Sequence, residues 1–537
     1  MTDVRVPVLV VGGGPVGLAT AIFLRRHGVD VLLVEKRAST SFLPRAPGLQ
    51  ARTLELFRAA GFGPQIRELE MGDSHPYFEG GIIQVPTFAQ IDEAIVLEAP
   101  SLDGPTISPE RVMGCGQDRY EKVLADLITT DGGEVRFQHQ LISLEQHDDG
   151  VDALVEGPDG DRYHVRADYL VGADGATSKV RGLLGVERTG RGTVFHALSV
   201  YFSAPELETL LKDRKFILCY ATNARANMMG LSRLHGCDPW LATPIYYPER
   251  GETPADFTDE RCVEIIRQAA GKADMKVEVK AKVPWRGAQL VASRFRVGRV
   301  FLAGDAAHLH PPAGGFGANT GIHDAHNLAW KLAAVLQGKG DDPLLDTYDA
   351  ERRAVGEAMA EQAMVRNRIR HGYADEATRK AMVDDIIVTL GYRYQSTSIT
   401  GYDPDVPPLT QKLTLAGEPG TRAPHVWLDR GGERISTIDL FWDDFVLLTG
   451  SAGSGWAEAA ERAAKQVSVP VRVHVVGPGG ELVPQDRDWA QAYGVPADGA
   501  VLVRPDAFVA WRSSDPGQDG DQDVVLTAAL GRAAGRR

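Results

Sequence analysis

The chain has 537 residues, enough for about three domains and for a core that needs no disulfide or metal staple. It carries 58 Lys and Arg against 72 Asp and Glu, a formal charge of -14, which argues against general nucleic-acid binding because that depends on neutralising phosphates. Cys115, Cys219, Cys237 and Cys262 form no C-x-x-C pair, so they read as buried reduced thiols of a cytoplasmic protein rather than as a zinc site or redox dithiol.

Residues 6–11 are a continuous apolar run rich in β-branched side chains, the pattern of a strand covered on both faces in a parallel sheet. The uncharged stretch continues to Leu24 and is long enough to cross a bilayer, but Gly12, Gly13, Gly14 and Pro15 interrupt it. A strand, a glycine turn and a helix over 15–28 are expected there instead, with no membrane association. A strand over 30–35 completes a βαβ unit. The stretch 72–109 is loose and rich in Gly and Pro; a helix is expected over 118–130 and strands over 135–137, 141–145, 151–155 and 163–171. From 187 to 297 apolar and polar residues alternate, as in a mostly antiparallel sheet, with one helix near 259–269. A short buried strand follows at 299–303, then helices over 322–337 and 344–370. The Pro- and Gly-rich segment 403–424 reads as a linker. Beyond it comes a β/α pattern, with strands near 444–448, 471–476 and 500–503, a helix near 456–466, and a tail after Ser513 whose end is expected to fray.

Three segments carry chemistry. Gly12-Gly13-Gly14-Pro15-Val16-Gly17 matches G-x-G-x-x-G between a predicted strand and helix, where glycine permits a tight turn and close approach to a pyrophosphate at the helix N-terminus. Glu35, ending the second strand, is placed to accept hydrogen bonds from an adenosine ribose. The segment Gly172-Ala173-Asp174-Gly175 also ends a strand before a predicted helix, although alone it is a common turn. Finally, Gly304-Asp305-Ala306-Ala307-His308 follows a buried strand and leads through Pro311-Pro312-Ala313-Gly314-Gly315-Phe316-Gly317-Ala318-Asn319 into a helix; small residues there let the backbone approach a flat ring. His308 and His310 have no third ligand nearby, so no metal is expected.

In this order and context the three segments, within residues 6–370, resemble the FAD-dependent aromatic hydroxylases related to para-hydroxybenzoate hydroxylase. The C-terminal β/α segment resembles the subgroup acting on aromatic polyketides and related bacterial natural products. The resemblance implies an α/β protein with a Rossmann-like FAD-binding domain of the glutathione-reductase type (1–72, 108–185 and 298–400) and an inserted, mostly antiparallel substrate domain (73–107 and 186–297). A thioredoxin-like domain without redox cysteines would follow (401–537). It further implies a monooxygenase that uses NAD(P)H, with NADPH favoured, and O2 to hydroxylate a phenolic, polycyclic polyketide-like molecule through a flavin C4a-hydroperoxide.

By the same resemblance Gly12, Gly14, Pro15, Val16 and Gly17 hold the pyrophosphate, and Glu35 and Lys36 the adenosine ribose. Arg45 and Gln117 contact FAD, although Gln117 also reads as a helix cap, and Leu141 lies beside the adenine. Asp174 serves FAD and the nicotinamide nucleotide, Asp305 the ribityl chain, and Pro312, Gly315, Gly317, Ala318 and Asn319 form the loop along the isoalloxazine. Substrate-pocket candidates are Arg393 and Tyr220, with Trp240, Tyr246 and Trp285 as wall residues or plain core aromatics. Baeyer–Villiger or oxidative-rearrangement oxygenation, a flavin dehydrogenase and a non-catalytic flavin-binding partner remain open, as does the choice between monomer and homo-oligomer.

Overall fold

In a computed structural model, residues 4–46, 48–70, 80–99, 106–223, 229–233, 238–513 and 521–536 are described. Cys237 and much of the loose stretch 72–109 lie outside them. Cys115, Cys219 and Cys262 are free and buried.

The apolar run at the start becomes the strand Val4–Val11, which pairs in parallel with Val31–Glu35 on one side and Arg162–Gly172 on the other. Glu134–Phe137 and Val300–Leu302 extend the parallel sheet outward at either end. The helices Pro15–Arg26, Gln117–Thr130 and Phe316–Leu336 contribute apolar residues to its core, which explains why Val8, Leu9 and Val10 are wholly buried. From the central strand Val4–Val11 the chain first adds a neighbour on one side and later one on the other. The order reverses beside Gly12, and the loops at the carboxyl ends of these strands border one crevice.

A nine-stranded sheet forms the second layer, built mainly on the long antiparallel pair Arg188–Ser203 and Glu278–Ala292. Its one parallel pairing among the described strands joins Leu218–Ala221 to Ile82–Val85. Alternation assigns its faces. Leu198, Val200, Phe202, Leu231 and Ala242 pack under the helices Glu206–Leu211 and Asp259–Ala270. Tyr201, Leu241, Ala281 and Val283 point the other way, where Leu43 of the first layer packs on Tyr201.

The C-terminal part centres on a mixed sheet ordered Val471–Val476, Phe445–Gly450, Ala500–Val503 and Val509–Arg512. Phe445 and Leu447 face the helices Ser454–Val467 and Gln522–Ala533, while Val446 and Leu448 face Trp489 and Tyr493. The expected fraying of the tail is therefore wrong in its last part, because Leu526, Ala529, Leu530 and Ala533 pack on the helix Ser454–Val467. The segment 403–424 is irregular as expected but is no free linker: Arg422 is buried and forks onto Glu55, which also holds Arg52 at 3.1 Å and Ser108 at 2.6 Å. Arg504 likewise binds Glu351 at 2.6 and 2.9 Å, and Lys331 reaches the same carboxylate at 2.7 Å. Buried charges of one region are thus neutralised by side chains of another.

Sequence periodicity missed the short helices Ala51–Ala59, Gly63–Arg67, Glu206–Leu211 and Asp385–Leu390, too brief to stand without tertiary contacts. It also began the long helix six residues late. Gly314 and Gly315, both left-handed, end the loop, and the helix starts at Phe316. Gly317, Ala318 and Asn319 therefore belong to its first turn rather than to the loop.

Candidate functional site

The glycines of the first turn divide their work. A Cβ on Gly12 would stand 2.3 Å from the Ala173 carbonyl oxygen, and one on Gly17 would stand 1.8 Å from that of Gly12. Those two glycines let backbones touch. A Cβ on Gly14 would meet nothing within 4 Å, so Gly14 faces open space. Gly14 also caps the helix Pro15–Arg26 without any side-chain cap bond, leaving its first amides for an outside anion. Gly315 does the same for the helix Phe316–Leu336, and Gly315, Gly317 and Gly175 also front open space. Val16 contributes packing: its Cγ2 would collide with a Cβ on Gly304 at 2.7 Å or on Gly321 at 2.4 Å, so it wedges three turns together.

Asp305 stands at the carboxyl end of Val300–Leu302, open to the crevice and accepting no hydrogen bond among the described residues. Protein crowding pushes its carboxyl up, against the pull of His308 and Arg188. Behind it, Asp324 accepts from the Gly304 N–H at 3.0 Å, His308 Nε2 at 2.6 Å and Arg352 Nε at 2.7 Å. Burial alone would raise Asp324, but His308 and Arg352 hold it at about 2. His308 is thus a buried hydrogen-bonding residue, as its motif suggested, with His310 stacked on it at 4.8 Å.

Other expected cofactor residues have local duties. Glu35 accepts from the Gly13 N–H at 2.7 Å and the Arg37 N–H at 2.8 Å, which fixes its carboxylate at the turn. Asp174 is committed to the N-terminus of the helix Lys179–Leu183, accepting from Ser178 Oγ, Lys179 N at 2.7 Å and Val180 N at 3.0 Å. Gln117 is the first residue of its helix rather than a cap, and its amide donates to Glu121 at 2.6 Å. Its backbone N–H donates at 3.0 Å to the carbonyl of Arg45, whose side chain is exposed. Lys36 and Pro312 are also exposed. Leu141 is buried in the main core.

Asn319, expected in the loop along the isoalloxazine, spends its side chain on its neighbours. Its Oδ1 accepts from Gln50 N at 2.9 Å and Thr53 Oγ1 at 2.7 Å; its Nδ2 donates to Gly48 O at 3.1 Å and Gly315 O at 3.0 Å. The amide is saturated and ties the helix to its neighbours, leaving Asn319 no side-chain bond to offer.

On the opposite wall, the face of the nine-stranded sheet turned away from its helices carries Tyr220, Leu241, Val283, Trp285 and Phe195. Phe195 and Trp285 meet edge to face at 5.4 Å, and His371 lies 6.4 Å from Phe195 and 6.3 Å from Tyr220. Arg370 lies beside the Tyr220 phenol and forks onto Glu98. Burial raises the Tyr220 phenol, keeping it neutral near pH 7.

The structure gives the two substrate-pocket candidates, Tyr220 and Arg393, different neighbours. Arg393 bridges Thr421 and donates its N–H to Pro408, within the C-terminal region, while Tyr392 and Tyr394 are buried with Phe508. The arginine beside Tyr220 is Arg370, which sequence reasoning missed together with His371 and Glu98. Trp240 and Tyr246 are core residues under the helices. Surface cavities of about 550 and 360 Å³ share no residue with the crevice and are lined by ion pairs such as Arg296–Asp342 and Arg472–Asp444. Among the described residues no group of three His, Cys, Asp or Glu side chains could hold a metal, and no helix is long and apolar enough to cross a membrane.

Residues 5–363 match the FAD binding domain family, and residues 416–536 match the C-terminal domain of aromatic-ring hydroxylases. The chain belongs to the FAD-dependent aromatic-ring hydroxylases. It is 42% identical to the tetracenomycin A2 monooxygenase-dioxygenase of Streptomyces glaucescens over 100% of this chain and 98% of that protein. It is 46% identical to a putative polyketide hydroxylase of Streptomyces halstedii, over 98% and 96%. The crystal structure of aklavinone-11 hydroxylase in ternary complex with FAD and aklavinone superposes with a TM-score of 0.90 at 37% identity, covering 100% of both chains. This hydroxylase is therefore a flavoenzyme, and its crevice fits the group: glycine backbones front open space where side chains would intrude, and two uncapped helix N-termini point their amides outward.

Proposed function

We propose that this enzyme uses NAD(P)H and O2 to hydroxylate a flat polycyclic phenol of the aromatic polyketide class. The observation that carries this reading is the aromatic cluster of Tyr220, Phe195, Trp285 and His371 on the sheet face turned away from the helices Glu206–Leu211 and Asp259–Ala270. Bound FAD supplies the electron transfer and oxygen activation. Gly14 and the first amides of the helix Pro15–Arg26 would hold the pyrophosphate, and Asp305 would accept hydrogen bonds from the ribityl hydroxyls. The uncapped N-terminus of Phe316–Leu336 would turn its positive potential toward the bound flavin ring. Glu35 and Lys36 would serve the adenosine ribose, and the exposed Arg45 would contact FAD.

On the substrate side the wall excludes water and orients a planar ring. The Tyr220 phenol, beside the Arg370 cation, is placed to donate its O–H to a ligand oxygen. The test is anaerobic rapid-mixing reduction of the bound flavin by NADPH with a panel of polycyclic phenols, followed by product mass under isotopically labelled dioxygen. At least one phenol is expected to accelerate bleaching and gain one labelled oxygen. Turnover without oxygen, or no acceleration by any polycyclic phenol, would refute the proposal.

A further inference from the structure

Asp324 is fully buried about two turns into Phe316–Leu336 and does not take part in the chemistry above. A buried carboxylate is tolerated only when it is paired and hydrogen-bonded, and this one is bonded on both oxygens. One oxygen takes the Gly304 N–H and His308; the other takes Arg352. Gly304 holds a left-handed conformation at φ +59, and the next residue is Asp305. Arg352 in turn donates to the Thr320 carbonyl at 3.1 Å and the Tyr394 hydroxyl at 3.2 Å. A single carboxylate thus joins the turn that presents Asp305 to the helix whose first turn borders the crevice. Asp305 itself has no hydrogen-bond partner among the described residues, so its direction is set by its turn.

We infer that Asp324, braced by Arg352, is a positioning residue for the cofactor, aiming the Asp305 carboxylate into the FAD crevice. This rests on the reading that Asp305 faces FAD. The experiment is a double-mutant cycle on FAD affinity, read as quenching of free flavin fluorescence when apoenzyme is titrated. Asp305→Asn and Asp324→Asn should each weaken binding by about tenfold, the loss of a charge-assisted hydrogen bond. Together they should weaken it little more than either alone, because Asp324 works through Asp305. The midpoint potential of the bound flavin should be the same in Asp305→Asn and in the double variant.

Losses that multiply in the double variant would overturn the inference and leave Asp324 as mere scaffolding. Wild-type affinity in Asp305→Asn would overturn the underlying reading and the inference with it. Should Asp324→Asn not fold, Arg352→Lys carries the same cycle, since it keeps a cation beside Asp324 but loses the fork to Thr320 and Tyr394.

Discussion

The two walls of the crevice are made of different material. The nucleotide wall is backbone: Gly14, Gly175, Gly315 and Gly317 front open space, and side chains there are spent holding the turns, as with Asn319 and Asp174. The wall proposed for the substrate is side chain: Tyr220, Phe195, Trp285 and Val283 project from one face of a sheet whose other face is already packed. The first wall fits a ligand that never changes; the second can be recut one residue at a time without moving the backbone.

The largest effects should come from breaking the backbone wall where it touches itself. Gly17→Ala places a Cβ 1.8 Å from the Gly12 carbonyl, a backbone clash that no rotamer relieves. It should cost about 3 kcal/mol or more and leave little folded protein, read by chemical denaturation. Gly14→Ala adds the same methyl into open space at an ordinary φ of -82. Its apoenzyme should unfold within about 0.5 kcal/mol of wild type while FAD affinity falls at least about tenfold. Equal destabilisation by the two substitutions would erase the distinction between packing and ligand-facing glycines.

The nucleotide wall also rests on buried charge, which makes it the acid-sensitive half. Asp324 is held at about 2 against an ordinary 3.8, so its folded pKa is the lower one. The stability it contributes is complete above pH 3.8, about 2 kcal/mol, and is lost as pH falls through about 2. Urea midpoints measured from neutral pH downward should show this loss in wild type, and Asp324→Asn should flatten the slope between pH 3.8 and 2. An unchanged slope in the variant would show that other groups carry the acid transition. The buried imidazoles of His323 and His326, pushed well below 6.5 by burial and nearby arginines, add a separate loss that begins as pH falls below 6.5.

The contrast between the walls also explains what could be read in the sequence. The nucleotide wall is written locally: strand, glycines and helix lie within 25 residues of one another around Gly12–Gly17, and Asp305 follows its strand directly. Periodicity therefore found the parallel sheet and most of the turns. It could not see that Asn319 would be saturated, because Gln50 and Thr53 lie 269 and 266 residues away. Nor could it pair Tyr220 with Arg370, since that contact depends on how the end of the helix Pro343–Arg370 meets a strand of another sheet. Arg393, flanked by tyrosines, was the more eye-catching arginine, yet its backbone pairs with Thr421. The same blindness hid the buried partnership of Arg422 with Glu55, 367 residues apart, and so made a linker of a docked segment.

The smallest effect expected is also the sharpest test of the side-chain wall. Tyr220→Phe removes one hydroxyl and leaves Arg370 still forked on Glu98, so no buried charge loses its partner. Stability should change by less than about 1 kcal/mol, because Arg370 keeps its Glu98 partner and only one half-buried hydroxyl is lost. FAD affinity should be unchanged, because no backbone turn of the nucleotide wall is disturbed. What should move is the KM for the aromatic substrate, rising by about fivefold for a lost ligand hydrogen bond, with substrate-free flavin reduction by NADPH unaffected. A loss of FAD affinity in this variant would mean that the two walls are mechanically one. An unchanged KM would place the substrate elsewhere than against Tyr220.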